Sequence, residues 1–415
     1  MTTGTDILEE LRDILIPKST IKSLMKSSLF ELEQRLQESS ISMIPSGSDR
    51  PFKNPKNEND TFYLAIDFGG STLKVGVVSP GSLEVSHIRT TPYVSNVVDL
   101  KFFQQLVNWI CQEIAHYIKV SKANDCSIFH VSTTFSFPLN AFDEITTMGK
   151  GFIMTDDIKN VSLSEILESS FKTALAHKEF TFDVKVHGIV NDSIAVYLTN
   201  RATHRDSYLS LVLGTGINSC FPLSTEKLPP FKKSAYLQNV LINSEIGFLG
   251  HNFIQLCQHD PEQLDSQPFM PLEYVTGGKW IPLTLKKILE YYQLLPNTLL
   301  EFDGNLICQI LEGTMSNVFK SHFVLVKQIT QLLIERAAMY LAAVLLSIAV
   351  FIGKQQKVLN VGYVGSFLKH CEYYRSQTKL FTSGFLQLEF LENSNLIGAT
   401  ISTWQDLHEL DDQIS

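Results

Sequence analysis

Two segments of this chain share one pattern: an apolar strand, a tight glycine turn, and a second strand running back. The first is "LAIDFGGSTLKVGVV" at residues 64–78, and the second, "YLSLVLGTGINSCFPL", begins at Tyr208. Such alternation around glycine predicts a hairpin at each place. Between them the periodicity turns helical. In "VDLKFFQQLVNWICQEIAHYIKV", Phe103, Leu106, Val107, Ile110, Ile114 and Ile118 fall on one helix face. A strand ("IFHVSTTFSF"), a helix ("LSEILESSFKTALA") and a short strand ("VKVHGIV") follow. This is an α/β pattern with more hairpin than a wholly parallel sheet would carry. Two lobes with a glycine hairpin in each would produce the echo, although the segments are too divergent to establish a repeat alone.

Length supports more than one packed unit, since 415 residues exceed what a single core usually serves. A net charge of −9 offers no electrostatic reason to bind nucleic acid or an anionic membrane. The six cysteines (Cys111, Cys126, Cys220, Cys257, Cys308, Cys371) include no Cys-x-x-Cys pair, which fits reduced thiols in a cytoplasmic protein. The opening "MTTGTDILEELRDILIPKST" mixes acids into its apolar residues and reads as neither signal nor transit peptide. The most apolar run, "AAMYLAAVLLSIAVFI" from Ala337, falls short of the roughly 20 residues of a membrane span and reads as a core helix. The first 45 residues read as a helical arm ending at "SMIP", and "SGSDRPFKNPKNEND" reads as a surface loop. The last third is mainly helical, interrupted by the strands "KVLNVGYV" and "LQLEFL".

Several short motifs carry chemistry. Asp67 ends a strand, and Gly69-Gly70 follow with Ser71, Thr72 and Lys74. By itself Gly-Gly is satisfied by a structural turn whose residues accept positive φ. Turn N–H groups, hydroxyls and a cation are also what a polyphosphate needs, and a strand-end carboxylate can hold hydrated magnesium. Gly214-Thr215-Gly216 offers the same chemistry again. Asn191-Asp192 lies between a strand and a helix. It is either a helix cap, for which Asp is well suited, or a general base with a neighbouring amide. Glu245 and Glu273 sit in apolar surroundings, where an acid usually just turns outward. With Asn218 and Asn191 they would suit a sugar's hydroxyls. The segment 133–152, "TTFSFPLNAFDEITTMGKGF", looks built to touch a polar ligand.

The ordered series "LAIDFGGSTLKV", "TFSFP", "MGKGF", "NDS", "GTGIN", "NSEIG" and "LEYVTGGKW" resembles the eukaryotic hexokinase family, from the "ELEQRL" arm to the C-terminal "GSF" and "NLIGATIS". The resemblance implies two actin-like (ribonuclease H-like) α/β lobes with a sugar and nucleotide cleft that closes on the sugar. Closure would exclude water that otherwise accepts the phosphoryl group. The same likeness implies residues 1–58 as an arm on the large lobe, 59–190 as the small lobe with a helix of about 399–415 returning to it, and 191–398 as the large lobe.

Carried over motif by motif, Asp192 would be the base that takes the sugar's 6-hydroxyl proton. Ser136, Pro138, Gly149, Lys150, Asn191, Asn218, Glu245 and Glu273 would line the sugar, with Lys150 also reaching the transferred phosphate. The nucleotide would be held by Gly69, Gly70, Ser71, Thr72, Lys74, Gly214, Thr215, Gly216 and Lys279, with Gly365 and Ser366 on the nucleoside side. Asp67 would meet Mg²⁺ through water. The implied ligands are a sugar and ATP or another nucleoside triphosphate, and the implied partners include neither nucleic acid nor membrane. The protein would be cytoplasmic, as a monomer or homodimer.

The departures bear on the substrate. Glucose-type members carry Gly-Gly-Thr-Asn with Arg two places on, where this chain has Gly69-Gly70-Ser71-Thr72 and Lys74. They carry Trp-Thr before the sugar lysine, where this chain has Met148-Gly149. Replacing Thr by Gly clears part of the sugar wall, with room for an acetamido group. "TMGKGF" and "INSEIGFLG" look most like the fungal N-acetylglucosamine kinase branch. The usual "GSGxGAA" stretch reads Ser394-Asn395-Leu396-Ile397-Gly398-Ala399-Thr400, and the usual Asp before Gly-Ser is Val364. Alternatives are a glucose or mannose kinase and a catalytically silent sugar sensor.

Overall fold

A computed structural model describes residues 4–50, 62–79, 81–121, 128–137, 139, 143–145, 152–177, 180–233, 238–262, 268–355 and 358–414. The chain forms two compact units, Met1–Asp49 with Asp206–Leu391 and Arg50–Arg205 with Glu392–Ser415.

The first unit begins with α1 (Gly4–Leu15), α2 (Ile21–Glu38) and β1 (Ile44–Ser48). Thr20 starts α2 by accepting a hydrogen bond from Ser23 N at 3.2 Å. The second unit contains β2 (Tyr63–Phe68), β3 (Thr72–Val78), β4 (Val85–Pro92), β5 (Val97–Val98) and α3 (Leu100–Ser121). It continues with β6 (Ile128–Phe135), β7 (Ile153–Met154), α4 (Leu163–His177), β8 (Asp183–Asn191) and α5 (Asp192–Thr203). The chain then re-enters the first unit through β9 (Leu209–Leu213), β10 (Ile217–Ser224), β11 (Asn239–Asn243), α6 (Pro271–Thr276), α7 (Trp280–Tyr291), α8 (Gly304–Glu312) and α9 (Ser316–Phe319). After α10 (Phe323–Phe351) come β12 (Leu359–Val364), α11 (Ser366–His370), α12 (Glu372–Phe381) and β13 (Leu386–Phe390). Helix α13 (Ser394–Ile414) belongs to the second unit.

The sheets explain the echo in the sequence. In the second unit the strand order is β4-β3-β2-β6-β8, and in the first it is β1-β11-β10-β9-β12-β13. Each has an antiparallel meander of three consecutive strands, then two strands added in parallel beside the meander's first. The same topology occurs twice, and the first unit gains β1 as an extra antiparallel edge.

Apolar faces then set each core. In the second unit Phe68, at the end of β2, packs against Phe103 and Phe135 with ring centroids 6.0 and 5.8 Å apart. Those rings pin the strand end from which the glycine turn springs. In the first unit α10 is apolar almost all round, and its membrane-length apolar window is mostly buried against neighbouring helices, α2 and α12 among them. It is a core helix.

The arm is clipped to the first unit by backbone groups. The Glu31 carboxylate accepts from Gly250 N at 3.1 Å to each oxygen, and from His251 N and Asn252 N at 3.4 Å. Arg35 donates to the Phe248 carbonyl. Buried Lys232 donates to the carbonyls of Ser42 and Met43, each at 2.9 Å, and burial pushes its pKa down to about 8.

Three expectations are corrected. The division expected between 190 and 191 falls after Arg205, because α5 packs on β8 and α13 within the second unit. The return to that unit begins at Glu392, not near 399. Finally, the arm's helices are followed by a strand, since Ile44–Ser48 pairs with β11, so residues 46–48 are not the loop expected there.

Candidate active site

The second unit carries the first glycine turn. Asp67 and Lys74 face each other across the β2–β3 register, and Gly69 N donates to the Thr72 carbonyl at 3.0 Å to close the turn. Tyr93 OH donates to the Gly69 carbonyl at 3.0 Å. The buried phenol's pKa is raised by burial and by the Asp67 charge. Asp67 is held on both oxygens: Thr134 Oγ1 donates to Oδ1 at 2.7 Å, and Asn395 Nδ2 donates to Oδ2 at 3.1 Å. Burial raises its pKa, and the nearby Asp192 charge adds to that. The Thr134 and Asn395 hydrogen bonds, then the Lys74 charge, oppose the rise by favouring the carboxylate. Lys74 Nζ donates to Asn393 Oδ1 at 2.5 Å.

Gly69 is not needed for left-handed backbone: Gly69, Gly214 and Gly216 are absent from the positive-φ glycines, which include Gly365 at 114°. Clearance is the reason instead. A Cβ on Gly69 would meet the Thr72 carbonyl oxygen at 3.1 Å.

At the β8–α5 junction the two neighbouring polar residues divide the work. Asn191, not Asp192, caps α5: its Oδ1 accepts from Ser193 N at 2.9 Å and from Ser193 Oγ at 2.7 Å. Asp192 is the first residue of the helix and is only 9% exposed. The side-chain cap is thus supplied by its neighbour. The α5 N-terminus favours negative charge there.

The first unit carries the second turn and the acid–amide set. Gly214 N donates to the Gly216 carbonyl at 3.1 Å, Gly278 N to the Gly214 carbonyl at 2.8 Å, and Lys279 N to the Thr215 carbonyl at 3.1 Å. Thr215 is exposed at the tip. Glycines make this approach feasible: a Cβ on Gly278 would lie 2.6 Å from Gly214 O, and one on Gly365 would lie 2.1 Å from Leu213 O. Lys279 Nζ lies 4.4 Å from the Trp280 ring centre. Ser366 begins α11 directly after Gly365.

Beside this turn, Glu273 Oε2 accepts from Ile217 N at 3.3 Å and Oε1 from Trp280 Nε1 at 3.2 Å. Glu245 has left-handed backbone (φ 49°, ψ 49°). Its Oε1 accepts from Asn218 Nδ2 at 3.1 Å and Asn243 Nδ2 at 2.9 Å, and its N–H donates to Asn218 Oδ1 at 2.9 Å. Asn218 Nδ2 also donates to Asn243 Oδ1 at 2.8 Å. Glu245 therefore sits in a network of side-chain amides, and Glu273 is held by a backbone N–H and an indole N–H; carboxylates and amides are donors and acceptors that hydroxyl-rich ligands require.

Of the residues expected at the site, Asp67, Gly69, Lys74, Asn191 and Asp192 are in the second unit with Ser136, whose N–H donates to the Phe68 carbonyl at 3.0 Å. Asn218, Glu245, Glu273, Lys279 and the 214–216 and 365–366 turns are in the first. Pro138, Gly149 and Lys150 lie outside the described residues. Sequence reasoning gave no site role to Asn243, Thr134, Asn393 or Asn395. Asn243 was visible as the amide two places before Glu245, Thr134 lay in the segment 133–152 and Asn395 in the altered Gly-rich stretch, and Asn393 had no local signal.

Among the described residues no three His, Cys, Asp or Glu side chains form a metal-binding group. The Asp67 carboxylate, with the Asp192 charge nearby, suits a hydrated magnesium ion arriving with a nucleotide, since Mg²⁺ keeps several waters and takes few protein ligands.

A sheet topology repeated in two α/β units, each with a glycine turn at a strand end, is that of the actin-like fold class. Two family models, both described as hexokinase, match residues 7–202 and 208–404. N-acetylglucosamine kinase 1 of Candida albicans is 26% identical over 444 residues, covering 90% of this chain and 88% of the relative. Hexokinase-2 of Solanum tuberosum is 22% identical, over 57% of this chain and 49% of its own length. Among solved structures, a Schistosoma mansoni hexokinase complexed with glucose aligns with a TM-score of 0.75 at 19% identity, covering 97% of this chain and 100% of that one. A ROK hexokinase from Thermus thermophilus aligns at 0.52 and 14% identity, covering 84% and 100%. The chain belongs to the hexokinase family. It is an ATP-dependent sugar kinase.

Proposed function

We propose that this kinase phosphorylates the 6-hydroxyl of N-acetylglucosamine. The observation that carries the sugar reading is the Asn218–Asn243–Glu245 network beside Glu273. The acetamido preference is supported by the Candida relative's name over most of both chains, and by Gly149 where glucose-type members carry a threonine.

In this reading Asn218, Glu245 and Glu273 hold sugar hydroxyls, with Ser136, Asn191 and Lys150 completing the set. Asp192 accepts the 6-hydroxyl proton as the sugar oxygen bonds to the γ-phosphorus, while the bond from that phosphorus to the bridging oxygen breaks and ADP departs. Backbone N–H groups of Gly70, Ser71, Thr215 and Gly216, with Lys74 and Lys279, hold the phosphates, while those of Gly69 and Gly214 close the turns. Asp67 would hold a magnesium ion through water, and the ion would supply charge neutralisation on the phosphates. The enzyme works in the cytoplasm on small molecules.

The test is a coupled assay of N-acetylglucosamine, glucose, mannose and glucosamine, each with ATP and with GTP. The expected result is the highest kcat/KM with N-acetylglucosamine, and turnover confined to glucose or mannose would overturn the substrate assignment. Asp192→Ala should lower kcat by ~10²–10⁴-fold.

A further inference from the structure

We infer that Asn393 and Asn395 are positioning residues for the nucleotide's polyphosphate, each holding one charged side chain of the 67–74 turn. The inference rests on reading that turn as the phosphate turn. Asp67 and Lys74 stand opposite each other in the β2–β3 register, so their side chains share a face of the sheet. Asn393, just before α13, and Asn395, in its first turn, reach one each. Asn393 Oδ1 accepts from Lys74 Nζ at 2.5 Å, and Asn395 Nδ2 donates to Asp67 Oδ2 at 3.1 Å. These contacts join positions 319 and 328 residues apart in sequence.

Three details separate this from incidental packing. Asn393 adopts left-handed backbone (φ 54°), which asparagine tolerates better than most residues, and its amide oxygen meets Lys74. Asn395 Oδ1 is buried without a hydrogen-bond partner among the described residues, a cost the side chain bears while its Nδ2 meets Asp67. The amides are neutral, so in holding the carboxylate and the ammonium they add no opposing charge to either. A magnesium–polyphosphate ligand needs both: an anion toward the hydrated metal and a cation toward phosphate oxygens.

The experiment measures KM for MgATP, KM for the sugar, and kcat in wild type, Asn393→Gly and Asn395→Ala. Asn393→Gly removes the amide while keeping a residue that accepts positive φ, so it remains informative if Asn395→Ala folds poorly. Each variant should raise KM for MgATP about tenfold, with the sugar KM within about twofold of wild type, a split that a merely structural role would not produce. Combining Asn393→Gly with Lys74→Met should cost little more than Lys74→Met alone. An unchanged KM for MgATP in a folded variant of an active enzyme overturns the inference. Wild-type protein with no kinase activity on any sugar and nucleotide overturns the phosphate-turn reading itself, a separate outcome.

Discussion

Glu273 stands where a side chain on residue 216 would be: a Cβ built on Gly216 would lie 2.3 Å from Glu273 Oε2. The glycine of the second turn is thus empty in order to seat a carboxylate. That same Oε2 takes the N–H of Ile217, the next residue. The turn and the acid expected to meet the sugar are one mechanical piece.

Gly216→Ala should therefore damage sugar binding more than folding. With Glu273 displaced from Ile217 N and Trp280 Nε1, the sugar KM should rise about tenfold or more, in line with loss of charged hydrogen bonds. Steady-state kinetics with a thermal unfolding control checks this, and an unchanged sugar KM contradicts it.

Asn243→Ala removes one donor from Glu245 and one acceptor from Asn218. Glu245 is in a left-handed conformation that only its surroundings maintain. We expect sugar affinity to fall about tenfold, read by calorimetric titration without nucleotide.

Gly398 is where α13 crosses α5. A Cβ there would lie 1.9 Å from the Ala195 carbonyl oxygen, a backbone atom that cannot swing aside. Gly398→Ala should destabilise the second unit by about 3 kcal/mol, the upper part of the usual overpacking range. A lowered urea midpoint measures it.

His130 and His187 provide a pH signature. Their rings stack with centroids 5.0 Å apart, and Nδ1 of the first is 2.8 Å from Nε2 of the second. That bond needs one nitrogen to accept, so it disfavours double protonation. Burial, then the charges of His130 and Lys185, push His187 down to about 4, while burial and Lys185 lower His130. Unfolded imidazoles titrate near 6.5. Above that pH both states are neutral and the contribution is fully present; as pH falls toward 4, the unfolded chain binds protons first and stability is lost. Urea midpoints should decline across this window, and His187→Asn should flatten part of the decline.

How much of this was legible in the sequence depends on the range of the interaction. The strands around each glycine turn, the apolar face of α3 and the burial of α10 follow from patterns within a few residues. So does the chemistry on offer at Asp67, Asn191-Asp192, Glu245 and Glu273, because side-chain type and order are local facts. Tertiary structure decided the rest. It assigned the helix cap to Asn191 and made Asp192 the first residue of the helix. It moved the unit boundary to Arg205, because α5 buries its surface against α13, some two hundred residues later in the chain. It also changed the reason for the glycines: Gly69 and Gly216 are required by what approaches them, not by an unusual φ. A sequence carries the conformational preferences of each residue, but the atoms that occupy a residue's missing side-chain volume come from segments whose proximity only folding creates.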